Sequence, residues 1–201
     1  MTTLDRINSF ARRVPAWAVY LLYLLPVPYL LYLAQTGGLG REPIQALEHE
    51  LGEIALQLLI IGLCITPMRR HLGVNLIKFR RTFGLLAYIY VVLHLLVWLV
   101  LDVGDLARIW ADILKRPYIT VGMIAFLLLV PLALTSNNWA VRKLGPAWRV
   151  LHRLVYVAAV LGAVHFIMVQ KVWELEPLLY LAVILGLLAL RLPELRKLRA
   201  A

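Results

Sequence analysis

Six apolar runs, each close to the length that crosses a membrane, divide this chain and leave only short polar segments between them. A helix needs about 20 apolar residues to cross a bilayer, and 62% of the 201 residues are hydrophobic. The mean hydropathy is +0.81. The sequence therefore predicts an all-α fold, a six-helix integral membrane bundle that forms a single transmembrane domain over residues 1–201. The predicted spans are 16–34, 47–68, 83–101, 118–136, 150–171 and 177–192.

The charged residues indicate how the chain is oriented in the membrane. The net charge is +10, but the basic residues lie between apolar runs and not on one face of a soluble domain, so nucleic-acid binding is not expected. Of the 21 Lys and Arg residues, 16 lie in the N-terminal tail, the 69–81 loop, the 142–153 segment and the C-terminal tail. Cytoplasmic segments carry the excess of basic residues, so this bias predicts that both termini are cytoplasmic.

The predicted span cores lack the groups that usually perform ion transport. Apart from Arg153 near a predicted cytoplasmic end, these cores contain no Asp, Glu, Lys or Arg. Transporters, pumps and channels usually carry such charges at membrane depth. The single cysteine, Cys64, lies within an apolar run, which excludes a disulfide or a paired-thiol site. These absences disfavour a proton-coupled transporter and leave the histidines as the informative residues.

Two histidines lie at membrane depth, His94 in the third predicted span and His165 in the fifth. Counting residues to the outer span ends at 1.5 Å per residue places both rings roughly 10 Å below the outer surface. A neutral imidazole can ligate iron, and two helices can hold one haem from both faces. The matched depth favours a shared haem iron over two core histidines that each bond a neighbouring carbonyl or hydroxyl group.

His152 lies 13 residues before His165, about 20 Å nearer the cytoplasmic side. On a straight helix the two side chains would point about 140° apart. Three interpretations stay open for His152: a ligand of a second haem, a partner of a quinone or flavin, or a residue that caps the cytoplasmic end of the span. Arg80 and Arg81 stand where a second haem would need a ligand on the third span, and guanidinium groups bind propionates or phosphates and do not ligate iron. With Arg153 they form a candidate site for an anionic head group, of FMN or of a lipid.

Three segments carry a resemblance to a known family. They are "ITPMRRHLGVNLIKFRRTFGLLAYIYVVLHLLVWLVLD" from Ile65, "RPYITVGMIAFLLLVPLALTS" from Arg116 and "WRVLHRLVYVAAVLGAVHF" from Trp148. Over roughly residues 45–173 the chain resembles the MsrQ family, haem-binding membrane subunits of bacterial protein-methionine-sulfoxide reductase systems, within the ferric reductase-like transmembrane group.

This resemblance implies a b-type haem ligated by His94 and His165, FMN as an additional cofactor, and electrons drawn from the respiratory quinone pool. It places His152 at the inner-haem position of the wider group, whereas the third-helix histidine of two-haem relatives falls near Arg80. It also implies a multi-pass protein of the bacterial inner (cytoplasmic) membrane. The implied partner is a periplasmic molybdopterin enzyme that reduces methionine sulfoxide in proteins.

The predicted function is therefore that of a haem b electron-transfer subunit. The chain shows no acid–base pair or nucleophile, so reduction of the sulfoxide is expected in the partner, which is expected to dock on the acidic outer loops 36–49 and 102–116. One alternative is a small-molecule transporter or scaffold without redox activity. Another is a ferric or oxygen reductase with a different electron acceptor, although such reductases usually carry a fused flavin and NADPH domain, which this chain is expected to lack.

Overall fold

The computed structural model describes residues 2–170, 172 and 174–191. These residues form eleven α-helices, one 3-10 turn (Ile77–Phe79) and one π-helical segment (Val97–Val103), and no strand occurs among them. The helices are α1 (Thr3–Arg13), α2 (Ala16–Leu24), α3 (Pro26–Thr36), α4 (Pro43–Leu72), α5 (Arg80–Leu96), α6 (Leu106–Lys115), α7 (Pro117–Leu134), α8 (Asn138–Leu144), α9 (Pro146–Leu151), α10 (Leu154–Val169) and α11 (Leu175–Ala189).

Five helical segments are long and apolar enough to cross a membrane, counted over the residues just given. The prediction of long apolar helices is therefore confirmed for the first five spans, although the second and third helical segments extend beyond the predicted 47–68 and 83–101 at both ends. The segments are Ala16–Thr36 (α2 and α3), Pro43–Leu72 (α4), Ile77–Val103 (α5 with its flanking turns), Pro117–Leu134 (α7) and Pro146–Val169 (α9 and α10).

The sixth predicted span, 177–192, corresponds to α11, which has 15 residues. At 1.5 Å per residue this helix is about 22 Å long, shorter than the roughly 30 Å hydrocarbon core of a bilayer. A sixth membrane crossing and the cytoplasmic location of both termini therefore stay predictions. Residue 192 lies outside the described part of the chain, as do Lys171 and Trp173, which lie at and just after the end of the fifth predicted span.

Proline and glycine mark several helix boundaries. Pro117 is the first residue of α7 and Pro177 the third of α11, positions where the missing N–H of proline costs no helical hydrogen bond. Gly145, with φ +50°, separates α8 from α9, and a turn at His152 and Arg153 separates α9 from α10. The fifth predicted span is therefore interrupted at His152, and the angle of about 140° expected for a straight helix does not apply.

The bundle is built from two helix pairs, α4 with α5 and α7 with α10, and α11 packs on α10 and α4. Small side chains from α10, namely Ala158, Ala159 and Ala163, are at most 1% exposed and allow neighbouring backbones to come close. By contrast α5 and α10, both fully described, do not pack along each other. The fold therefore places these two helices opposite one another, with α4 and α7 on either side.

Residues 102–116, expected to be a loop, contain the amphipathic helix α6. Its apolar side chains Leu106, Trp110 and Leu114 are 85%, 66% and 70% exposed, whereas Arg108, Asp112 and Lys115 line a cavity on its other side. A helix with one exposed apolar face and one charged face is typical of the membrane–water interface.

Candidate functional site

His94 of α5 and His165 of α10 face each other inside the bundle. Their ring centroids are 6.2 Å apart, and the ring planes are inclined at 80°. Both side chains stay partly accessible because their helices do not pack along each other. The structure thus brings together the two histidines that sequence analysis placed at one depth.

Both imidazoles are oriented by a main-chain carbonyl group of a flanking helix. The Nδ1 atom of His94 lies 2.8 Å from the oxygen of Glu48 in α4, and the Nδ1 atom of His165 lies 2.8 Å from the oxygen of Tyr118 in α7. A carbonyl oxygen only accepts, so each Nδ1 carries the hydrogen and each Nε2 presents a lone pair. Neither Nε2 atom has a hydrogen-bond partner among the described residues.

A helical glycine lies against each imidazole, four residues after the carbonyl that the imidazole contacts. A Cβ atom added to Gly52 would lie 3.1 Å from Nδ1 of His94, and one added to Gly122 would lie 2.9 Å from Nδ1 of His165. Residues four apart lie on the same face of a helix. The two halves of the site therefore share one arrangement, in which a carbonyl at position i and a glycine at position i+4 receive one imidazole.

The paired rings fit a metal ion that two histidines hold from opposite sides. An imidazole nitrogen lies about 2 Å from a first-row metal that it ligates, so two rings that hold one metal from opposite sides have centroids about 6 Å apart, close to the observed 6.2 Å. No group of three or more His, Cys, Asp or Glu side chains suited to a metal ion occurs in the described part of the chain. Two neutral nitrogen donors suit an iron whose other four positions are filled by a porphyrin.

The carbonyl and glycine partners of both rings were not among the residues predicted from the sequence. The glycines were visible as isolated Gly residues inside apolar helical runs, a position that costs helix stability and often has a packing reason. Their partners were not visible, because His94 and Glu48 are 46 residues apart and only the folded bundle brings them together.

A polar contact between α4 and α11 was not predicted from the sequence. Glu53 directly follows Gly52 in α4, and its Oε1 accepts hydrogen bonds from Gln57 at 2.8 Å and from Tyr180 of α11 at 3.0 Å. Gln57 also donates to the Tyr180 hydroxyl at 2.8 Å. The Glu53 carboxylate thus links α4 to α11.

His152 lies apart from the paired rings, in the turn between α9 and α10. Its Nε2 is 3.0 Å from the hydroxyl of Thr135, and its ring stacks on Trp148 at a centroid distance of 3.9 Å. The Thr135 hydroxyl has one hydrogen and donates it to the oxygen of Pro131 at 2.6 Å. It must then accept from Nε2, so His152 carries its hydrogen on Nε2, the opposite tautomer to that of the paired histidines.

Two of the three arginines of the predicted anion site, Arg80 and Arg81, lie close enough to His152 for their charges to act on it. Arg80 and Arg81 are exposed and Arg153 is partly buried, and Arg81 donates to the side chain of Asn138 at 2.8 Å. The remaining histidines, His49 and His71, are exposed.

A cavity of about 430 Å³ lies at the end of the bundle where α4 begins and α5 ends. Arg116 at its edge pairs with Asp112 at 3.2 Å and donates to the hydroxyl of Tyr118 at 3.1 Å. The bond to Tyr118, with the nearby Asp112 carboxylate, raises the pKa of Arg116 above its usual value. The main-chain oxygen of Tyr118 lies 2.8 Å from Nδ1 of His165, so Tyr118 connects the wall of the cavity to the histidine site. Its lining comprises Gln45, Asp102, Val103, Arg108, Ala111, Asp112, Lys115 and Arg116.

These features define a multi-pass helical membrane protein with a paired-histidine centre between its helices. The family described as "Ferric reductase like transmembrane component" matches residues 51–163. The relatives that bear the name protein-methionine-sulfoxide reductase heme-binding subunit MsrQ include proteins of several Brucella species. That of Brucella melitensis biotype 2 is 49% identical over 186 residues, covering 90% of this chain and 84% of the relative. Those of Brucella ovis and Brucella abortus (strain S19) are 48% identical with the same coverage.

No solved structure matches the chain. The chain belongs to the MsrQ family of the ferric reductase-like transmembrane proteins.

Proposed function

We propose that this protein is a haem b electron-transfer subunit of the bacterial inner membrane. It takes electrons from the quinone pool and delivers them across the membrane to a periplasmic molybdopterin enzyme, which reduces methionine sulfoxide in oxidised periplasmic proteins. The names of the relatives, which mention heme binding and protein-methionine-sulfoxide reductase, support the cofactor and the substrate class. The observation that carries the proposal is the pair of opposed imidazoles 6.2 Å apart, each with Nδ1 on a carbonyl oxygen.

In this proposal the Nε2 atoms of His94 and His165 ligate the haem iron. A haem b supplies reversible one-electron chemistry at its iron, with a potential set by the ligands and their surroundings. The carbonyl groups of Glu48 and Tyr118 hold each imidazole in the tautomer and the orientation that ligation requires. The apolar walls of α4, α5, α7 and α10 limit access of water to the site.

Spectra of the purified protein test the cofactor and its ligands together. The wild-type protein should show a Soret band and a b-type pyridine haemochrome. His94→Ala and His165→Ala should each abolish or grossly alter the low-spin haem, whereas His71→Ala, at an exposed residue outside the site, should not. Colourless protein from cells with adequate haem supply would favour a transporter or scaffold without redox activity. Unchanged spectra in both variants would reject the ligand assignment.

We extend the proposal to the predicted cytoplasmic side, where Arg80, Arg81 and Arg153 hold a phosphate group, either that of FMN or that of an anionic lipid. Two of these guanidinium groups are exposed and present several donors each. Flavin analysis of the purified protein distinguishes the two ligands: FMN that is lost in Arg80→Gln/Arg81→Gln protein supports the flavin, and protein that retains haem without FMN supports the lipid. We propose a structural role for His152, because its Nε2 is bonded to Thr135.

We propose that the partner docks around the cavity beside α6, where Asp102, Asp105 and Asp112 lie. This surface is connected to the histidine site through Arg116 and Tyr118, so it offers a short route for electrons toward an acceptor outside the membrane. An acceptor assay separates this function from that of a ferric or oxygen reductase. Quinol-dependent reduction of the molybdopterin partner, with little reduction of chelated ferric iron or oxygen, is expected.

A further inference from the structure

We propose that Gly52 and Gly122 are positioning residues that set the orientation and the electron donation of the two histidine ligands. This inference rests on the proposed haem ligation by His94 and His165. Nothing in the sequence resemblance assigns a role to either glycine. The geometry points to one, because the same arrangement occurs twice, on two different helices and around two different imidazoles.

Each glycine follows, by four residues, the residue whose carbonyl contacts the imidazole. In an α-helix the carbonyl of residue i already bonds the N–H of residue i+4, and its second lone pair points outward beside the side chain of that residue. Glu48 and Gly52 are related in this way, as are Tyr118 and Gly122. A side chain at the i+4 position would cover the carbonyl that the imidazole must reach.

Neither imidazole leaves room for a Cβ atom at its glycine. An alanine Cβ at residue 122 would lie 2.9 Å from Nδ1 and 3.0 Å from Cε1 of His165. At residue 52 the corresponding distances to His94 are 3.1 Å and 3.3 Å. Carbon atoms in ordinary van der Waals contact lie about 3.5–4.0 Å apart. Each imidazole would therefore have to move or rotate, and the shift is larger at His165.

A displaced imidazole would be a weaker metal ligand. A ring that moves away loses the 2.8 Å bond between its Nδ1 and the carbonyl oxygen. That bond fixes the ring orientation and raises the basicity of Nε2, and loss of such an outer partner typically lowers metal affinity about 10- to 100-fold. The iron should also be held less strongly in its oxidised form, because a less basic imidazole donates less charge.

The experiment compares Gly122→Ala and Gly52→Ala with Gly84→Ala and Gly186→Ala in the full haem-loaded protein. A Cβ at Gly84 of α5 or at Gly186 of α11 would meet no atom within 4 Å, so these variants control for the change from glycine to alanine in a helix. The measurements are haem affinity, reduction potential and the low-spin electron paramagnetic resonance spectrum, which depends on the angle between the imidazole planes. Gly122→Ala should lose about 10- to 100-fold in haem affinity, with a raised potential and altered g values. Gly52→Ala should change in the same direction by less, and the two controls should match wild type.

The outcomes separate this inference from the function on which it rests. If wild-type protein binds no haem, the proposed function fails and this inference fails with it. If wild type binds haem and both site variants match the controls, the inference is overturned while the function stands. Lower thermal stability with unchanged spectra would also overturn it, because it would show a packing role alone.

A measurement on wild type covers the case in which Gly122→Ala does not fold. In the reduced, haem-loaded protein labelled with ¹⁵N at histidine, the Nδ1–H groups of His94 and His165 should exchange slowly with solvent and show the shift of a hydrogen-bonded donor. Rapid exchange at both groups would contradict the proposal.

Discussion

The guanidinium group of Arg191, just after α11, donates a hydrogen bond to the main-chain carbonyl of Leu63 in α4. That carbonyl lies four residues before Pro67, which has no N–H to donate to it. Arg191 is only 4% exposed, although sequence analysis counted it with the basic residues of the C-terminal tail. It also donates to the hydroxyl of Tyr156 at 3.0 Å. Arg191 therefore joins α4, α10 and α11 at the point where a proline interrupts the hydrogen bonds of α4.

We predict that Arg191→Met lowers the free energy of unfolding by about 1–3 kcal/mol, because a buried carbonyl loses its partner. Methionine keeps much of the side-chain volume and removes the donors. The measurement is reversible unfolding in detergent micelles. The spectra of the histidine site should stay unchanged, since Arg191 contacts α4 at Leu63, eleven residues from Gly52.

Pro67→Ala provides the matched control for Arg191. Alanine at this position supplies the missing N–H, so the Leu63 carbonyl no longer depends on the guanidinium group. In the Pro67→Ala background, Arg191→Met should cost clearly less than in wild type, and a double-mutant cycle measures the difference. Equal costs in the two backgrounds would show that the bond to Leu63 contributes nothing.

The first five spans and the common level of the two histidines could be predicted, because they depend on local quantities, the length of an apolar run and the rise per residue. Helix ends could not, since hydropathy marks where the membrane core ends and a helix can continue beyond it. Thus α4 begins at Pro43 and includes the polar residues Glu48 and Glu53. The same reason explains α6, whose low mean hydropathy was interpreted as a loop although Leu106, Trp110 and Leu114 repeat at helical spacing.

The detail of the candidate site depends on contacts between distant parts of the chain. The separation of α5 from α10 and the carbonyl partners of the imidazoles arise only when four helices pack. For His152 the straight-helix assumption failed because a turn interrupts the fifth span at that residue. The sequence alone left three interpretations of His152 open. The contact between its Nε2 and Thr135 is the reason to prefer a structural role.

We predict that the protein binds one haem per chain and that His152→Gln leaves the stoichiometry and the Soret band unchanged. The Nε2 of His152 is bonded to Thr135, and its ring stacks on Trp148, so the histidine contributes to packing. Stability should fall by about 1 kcal/mol, the typical net value of one hydrogen bond. Thr135→Val should have a similar effect, because it removes the same bond from the other side. A wild-type ratio of two haems that falls to one in His152→Gln would instead identify His152 as a ligand.

We predict that charge changes beside α6 alter the rate at which the periplasmic partner is reduced. Asp105→Asn removes an exposed carboxylate near Arg108, and charges at the rim of an interface act mainly on the association rate. The second-order rate constant should change several-fold at low salt, and the change should shrink as salt screens the charges. Glu174→Asn, at an exposed residue before α11, is the control. A salt-independent effect, or an equal effect of both variants, would place the docking surface elsewhere.

The topology gives the last prediction. With the C-terminal tail counted on the cytoplasmic side, the basic residues divide 16 to 5 between the two sides. This bias favours an even number of crossings, and α11 alone decides between five and six. This helix is shorter than the hydrocarbon core, but Tyr180 bonds Glu53 and Arg191 bonds Leu63, which ties both of its ends to the full-length span α4. A helix that is bonded to a spanning neighbour at two depths should cross the membrane with that neighbour. The bilayer can thin, or flanking residues can extend, to compensate for the short length of α11.

Green fluorescent protein fused to the C-terminus should therefore fluoresce, and alkaline phosphatase fused there should be inactive. Phosphatase inserted after Gly104 should be active, as the control on the opposite side. An active C-terminal phosphatase would show five crossings and would place the terminus in the periplasm.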